Sequence, residues 1–123
     1  MLWTESGGIQ MANKFNAKKM VTPEGTFDSR KEHRRWCELK LLERAGKIRD
    51  LRRQVKYVLI PSQYEGQYRK LLERECSYVA DFVYIDVESG KEVVEDTKGV
   101  RTDAYKIKRK LMLFKYGIQI KES

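Results

Sequence analysis

The sequence predicts an α/β domain in which two helices flank a four-stranded mixed sheet. Three observations predict it. Ser29–Ala45 and Thr102–Tyr116 carry apolar residues at helical spacing, and each is followed by a glycine. Four other runs, rich in Val, Ile and Tyr, read as strands. The order helix, three strands, helix, strand lets the helices cover the faces of one sheet. A chain of 123 residues suits a single domain.

Residues 1–26 contain glycines, Lys14, Lys18, Lys19 and Pro23, and read as an irregular basic arm ahead of a domain at 27–123. Residues 1–12 lack a basic-then-apolar signal pattern. They read either as a leader or as a weakly ordered arm, with Met11 as an alternative start. The first helix opens on Ser29-Arg30-Lys31-Glu32, the pattern of a capping box. Gly46 offers it a left-handed C-terminal cap. Glu32, Trp36 and Leu39 fall at i, i+4 and i+7 and share a face that Leu42 extends; Arg30, Arg34, Lys40 and Arg44 lie opposite.

A strand is expected over Leu51–Ile60, stopped by Pro61, and Ser62–Arg74 reads as a loop or a short helix around Tyr68–Leu72. Tyr78–Ile85 and Lys91–Lys98 read as two strands joined by Asp86–Lys91, where Ser89-Gly90 marks a hairpin turn. The stripe Ile107, Leu111, Phe114 is expected to face the sheet from the second helix. Gly117 ends that helix, and Ile118–Ile120 is the last strand. Trp36 and Phe114 are expected in the core.

Charged residues make up 36% and hydrophobic ones 41%, as in a soluble globular protein. The net charge of +8 and pI of about 9.5 suit a polyanionic partner, nucleic acid above all. Cys37 and Cys76 read as free thiols of a reducing compartment, the cytoplasm. One histidine and two cysteines disfavour a four-ligand Cys/His zinc site. No apolar run approaches the roughly 20 residues needed to span a bilayer, so no membrane partner is expected.

The chemistry concentrates in the second and third strands. Side chains at i and i+2 of a strand share a face, so Asp96 and Lys98 point together, with Val94 behind them and Glu95 on the other side. Asp81 sits in an otherwise apolar strand, where an unpaired carboxylate is costly and asks for a partner. A metal is one such partner and Lys98 is another. Two carboxylates and an ammonium converging at a sheet end form a constellation that can hold Mg²⁺ or Mn²⁺ and activate water for phosphodiester cleavage. The Thr97 backbone carbonyl lies between the two side chains and is a further candidate ligand. Glu32 has two readings, helix cap or supporting acid. Gln54 is a candidate for holding water or phosphate. His33, inside the basic run Arg30–Arg35, is expected to face solvent. Arg30 and Arg34 on helix one, and Arg101, Tyr105, Lys106 and Arg109 after Lys98, are the candidate nucleic-acid contacts, which would position a backbone without reading sequence.

Asp81, fourteen intervening residues and Asp96-Thr97-Lys98 resemble the D…(D/E)-x-K core of the PD-(D/E)XK nuclease superfamily. Glu32 matches the upstream helix acid that many members carry, and Ala80 stands where the motif's proline would be. The element order looks like that superfamily's αβββαβ core, the restriction-endonuclease-like fold. The chain is also similar to small phage- and prophage-encoded proteins of this superfamily over about Asn13 to Lys121. That similarity rests on Thr26-Phe27-Asp28-Ser29 with Glu32, Leu39 with Leu42-Glu43-Arg44-Ala45-Gly46-Lys47-Ile48, Tyr78-Val79-Ala80-Asp81-Phe82 and Val94–Gly99. The resemblance implies a Mg²⁺- or Mn²⁺-dependent DNA endonuclease of a phage or prophage in a bacterial cell. The small size and high basicity favour structure-directed cutting of branched or junction DNA, as by resolvases, which act as homodimers. Two other readings stay open: a non-catalytic DNA-binding protein on the same fold, and a nuclease acting on RNA.

Overall fold

The local signals for chain reversal decide where each element begins and ends. In the computed structural model, which describes residues 19–123, the chain divides into two compact units, Met1–Leu41 and Leu42–Ser123.

In the first unit, β1 (Met20–Thr22) and β2 (Gly25–Phe27) pair antiparallel. Residues 20–27 therefore form a hairpin where an irregular arm is expected; Lys14 and Lys18 lie outside the described residues. Thr22 closes its turn: Oγ1 donates to the Gly25 carbonyl (3.0 Å) and accepts from the Glu24 N–H (3.2 Å). Phe27 is buried, with the His33 ring edge-on at 4.8 Å and Trp36 at 6.2 Å. Helix α1 (Arg30–Arg44) starts as the capping pattern predicts, since Ser29 Oγ accepts from the Glu32 N–H at 3.1 Å. Glu32 reaches back in turn, its Oε1 accepting from the Asp28 N–H (2.8 Å). Leu39 is buried and Trp36 half-buried, while Leu42 is exposed and does not extend the inner face.

The last turn of α1 belongs to the second unit. Gly46, at φ +77°, ends it in a Schellman arrangement: Gly46 N–H bonds the Glu43 carbonyl and Lys47 N–H the Leu42 carbonyl, at 3.0 and 2.9 Å. The strands that follow are β3 (Ile48–Ile60), β4 (Gln63–Glu65), β5 (Lys70–Glu73), β6 (Cys76–Asp86) and β7 (Glu92–Asp96); then come α2 (Asp103–Tyr116) and β8 (Lys121–Glu122). The main sheet has the order β3-β6-β7-β8. The first two pairings are antiparallel and β7-β8 is parallel, so the sheet is mixed and the fold is α/β, as predicted.

Four details correct the sequence reading. β3 begins three residues early, at Ile48, because Ile48 and Arg49 already pair with Asp86 and Ile85; the left-handed Asp50 (φ +56°) then shifts the register between Arg49 and Arg52. Residues 63–73 form the β4-β5 hairpin rather than a loop or helix. The last strand pairs at Lys121–Glu122, and Ile118 and Ile120 pack into the core instead. The inner face of α2 is carried by Tyr105 and Met112, with Leu111 of the predicted stripe partly buried against the same core and the stems of Lys108 and Arg109 half-buried. Ile107 and Phe114, predicted to face the sheet, are 59% and 89% exposed. Tyr105 and Met112 join Leu59, Tyr78, Ala80, Val83, Val94 and Ile120 in one core between α2 and the sheet. Thr102 caps α2 by accepting from the Tyr105 N–H (3.1 Å), and Gly117 ends it at φ +68°.

Candidate metal centre

The site grows out of one register. Phe82 pairs with Glu95 and Val83 with Val94 across β6 and β7, so Asp81 and Asp96 come next to each other where the ladder ends. The Val94/Asp96 side of β7 faces the core under α2. Glu95 points to the other face, as the period of two requires, but it is fully buried there, where its Oε1 accepts from the Tyr84 hydroxyl at 2.7 Å.

Asp96 is 3% exposed. Lys98 Nζ lies 2.9 Å from its Oδ2. That ammonium is the partner of this buried oxygen. Burial, and then the carboxylate of Asp81, push the Asp96 pKa up to about 7, against the opposing pull of Lys98. The Tyr78 hydroxyl is buried beside Asp96, and burial followed by the charge of Asp96 holds its pKa above the usual phenol range. Lys98 is held over the Tyr105 ring, 4.2 Å from its centroid.

Asp81 is gripped from one side. The Thr97 N–H and Oγ1 each donate to its Oδ2 at 2.9 Å, a role for Thr97 that spacing alone did not indicate. Its Oδ1 receives the Gln54 Nε2 at the long distance of 3.5 Å. Gln54 sits on β3 at φ +54°, where a non-glycine residue is uncommon and strain marks functional sites. Two carboxylates are therefore presented together, with one oxygen paired with the Lys98 ammonium and one weakly engaged. That donor set fits a small divalent cation such as Mg²⁺, which takes one or two carboxylates and keeps several waters.

The chain's last residues pin this segment. Ser123 N–H donates to the Asp96 carbonyl (2.9 Å), and Lys98 N–H to the Ser123 carbonyl (3.3 Å). Glu122 gathers three groups of the predicted nucleic-acid surface: Arg101 (2.7 Å), the Tyr105 hydroxyl (2.7 Å) and Arg109 (3.4 Å). Those contacts, led by Arg101, hold its carboxyl well below the ordinary range, at about 2. Tyr105, expected to interleave with a nucleic acid, is buried, and its hydroxyl is committed to Glu122. Arg101 and Arg109 are likewise engaged as structural cations. Nothing in the sequence spacing marked Glu122.

Lys106 is exposed. Lys98 and Lys108 line a cleft of about 380 Å³ with Ser77, Tyr78, Thr102 and Tyr105, which puts a second basic side chain in the same cleft as Lys98. Glu32, Arg30 and Arg34 belong to the first unit. There Glu32 is 1% exposed and its carboxylate caps the Asp28 N–H, while Arg30 and Arg34 are exposed. His33 is half-buried against Phe27 rather than solvent-facing. Both cysteines are free thiols.

Among the described residues no helix is long and apolar enough to cross a membrane. The chain belongs to the family described as "Protein of unknown function (DUF1064)", whose profile matches residues 12–122. No curated protein and no solved structure matches it.

Proposed function

We propose that this member of the DUF1064 family is a divalent-metal-dependent DNA endonuclease. The observation that carries the reading is the pair Asp81/Asp96, set opposite each other where the ladder ends, with the Lys98 ammonium 2.9 Å from the buried Asp96 carboxylate. Asp81, Asp96 and the Thr97 carbonyl would hold Mg²⁺ or Mn²⁺, in the arrangement that the PD-(D/E)XK resemblance implies. Bound there, the cation would neutralise phosphate charge and lower the pKa of an attacking water.

The chain's own residues do the rest. Thr97 and Gln54 orient Asp81. Lys98 positions the water and offsets negative charge at phosphorus. Lys108, in the adjoining cleft, takes a neighbouring phosphate, with the exposed Lys106 beyond it. Within the first unit, the exposed Arg30 and Arg34 offer a basic surface of their own to a phosphate backbone, and Glu32 supports the first helix. Such contacts read charge and shape rather than base sequence, which favours branched or junction DNA, cut by a homodimer in the cytoplasm of a phage- or prophage-bearing cell.

The test is cleavage of duplex, single-stranded, flap and four-way-junction DNA, with matched RNA substrates, in Mg²⁺ or Mn²⁺ and then in EDTA. We expect metal-dependent nicking of branched DNA, reduced on the order of 10²-fold or more in Asp96→Ala and Lys98→Ala. Variants that cut as fast as the wild type would sink the site. Binding without cleavage under every metal condition would replace the reading by a non-catalytic DNA-binding one, and preferential cutting of RNA would replace the substrate.

A further inference from the structure

We infer that the first unit carries a second metal site, for Zn²⁺, built from Glu24, His33 and Cys37. It is independent of the Asp81/Asp96 pair and of the nuclease reading.

The three donors come from two fixed elements. His33 and Cys37 stand at i and i+4 on α1 and so share one face of the helix. Glu24 stands in the β1-β2 turn, whose backbone Thr22 locks on both sides. The ligand atoms of all three lie within 4.8 Å of one another. His33 Nε2 and Cys37 Sγ are 3.7 Å apart. Zinc with its usual Zn–S of about 2.3 Å and Zn–N of about 2.05 Å, held tetrahedrally, requires an S···N edge of roughly 3.6 Å. The helix thus already presents one edge of the tetrahedron. Glu24 is exposed, so its side chain is free to close the remaining distance.

The donor chemistry selects the ion. One thiolate, one imidazole and one carboxylate suit Zn²⁺, whereas Mg²⁺ and Ca²⁺ favour oxygen ligands alone. Phe27, edge-on to the imidazole at 4.8 Å, restrains the ring plane. Three protein ligands leave a fourth position to water, on a side of the unit where Glu24 and Cys37 are both open to solvent. The metal would staple the hairpin turn to α1. The one other account of the short Sγ···Nε2 distance is a weak hydrogen bond between thiol and imidazole, and experiment separates the two.

The test uses the full chain, stripped with EDTA and titrated with Co²⁺ as a spectroscopic stand-in for Zn²⁺. We expect one equivalent to give a thiolate-to-cobalt band in the near ultraviolet and four-coordinate bands in the visible, both abolished by Zn²⁺. Cys37→Ser should remove the near-ultraviolet band, and Cys76→Ser should leave it intact. His33→Gln and Glu24→Gln should weaken binding about tenfold or more. On the unsubstituted chain, Zn²⁺ should slow iodoacetamide alkylation of Cys37 and leave that of Cys76 unchanged, a readout that does not depend on any variant folding. No cobalt band in the wild type, a band that survives Cys37→Ser, or alkylation of Cys37 indifferent to Zn²⁺ would each overturn the site.

Discussion

Asp96→Asn separates what the carboxylate costs the fold from what it does in the site. Burial and Asp81 raise its pKa from 3.8 to about 7. Between those values the folded chain holds a proton that the unfolded chain has released, so wild-type stability falls as pH rises through the window and is flat beyond it. From about pH 5 to the folded value is about two units, and at 1.36 kcal/mol per unit the loss is roughly 3 kcal/mol. Asparagine is close in shape and does not titrate. The variant also forgoes the ion pair with Lys98, whose effect is already contained in the folded pKa of Asp96, so the difference between the two proteins follows the wild-type titration. Urea unfolding in EDTA should therefore show the variant gaining on the wild type by about 3 kcal/mol between roughly pH 5 and pH 8. Adding Mg²⁺ at the upper pH should then raise the wild type alone, since a cation that binds only the folded state stabilises by mass action. A difference between the two proteins that stays constant with pH, or narrows toward alkaline pH, would refute the assignment of a buried, charge-crowded carboxylate at this position.

Other substitutions test the remaining geometry. Glu122→Gln should destabilise by about 1–3 kcal/mol, because Arg101, Arg109 and Tyr105 lose an anionic acceptor. Glu122 has a depressed pKa, so its stabilising effect is present above about 4.5 and lost as pH falls toward 2; acid unfolding curves of the variant and the wild type should converge across that interval. Phe114→Ser should change stability by no more than about 0.5 kcal/mol, whereas Met112→Ala should cost about 2–5 kcal/mol; thermal melts that reverse this order would return Phe114 to the core. Gln54→Gly should relieve left-handed backbone strain and raise stability by about 1 kcal/mol, while slowing any metal-dependent cleavage through the loss of its contact to Asp81.

Much of this protein is legible residue by residue because its signals are local. Ser29, Gly46 and Gly117 mark helix ends through hydrogen bonds and φ values set within a few residues. The Ser89-Gly90 turn is legible for the same reason, since hairpin chemistry does not depend on distant packing. By contrast, β7, expected to run to Lys98, ends at Asp96, and Lys98 meets that carboxylate from beyond the strand. The inner face of α2 is not, because Lys108 and Arg109 hide their aliphatic stems behind charged heads, while Ile107 and Phe114 imitate a buried stripe. The β4-β5 hairpin is also silent, since every residue of both strands is exposed and no period of two arises.

The sequence by itself determined the α/β order and the helix limits, which follow from bond geometry within a few residues. Only the tertiary structure decided the rest. It set Asp81 beside Asp96, buried Glu95 against Tyr84, and brought Glu122 to Arg101, Tyr105 and Arg109. In the first unit it brought Glu24 to His33 and Cys37. Each of those meetings joins side chains from different elements, and the free energy that holds them comes from burial and electrostatics across the fold, which no short window of sequence contains.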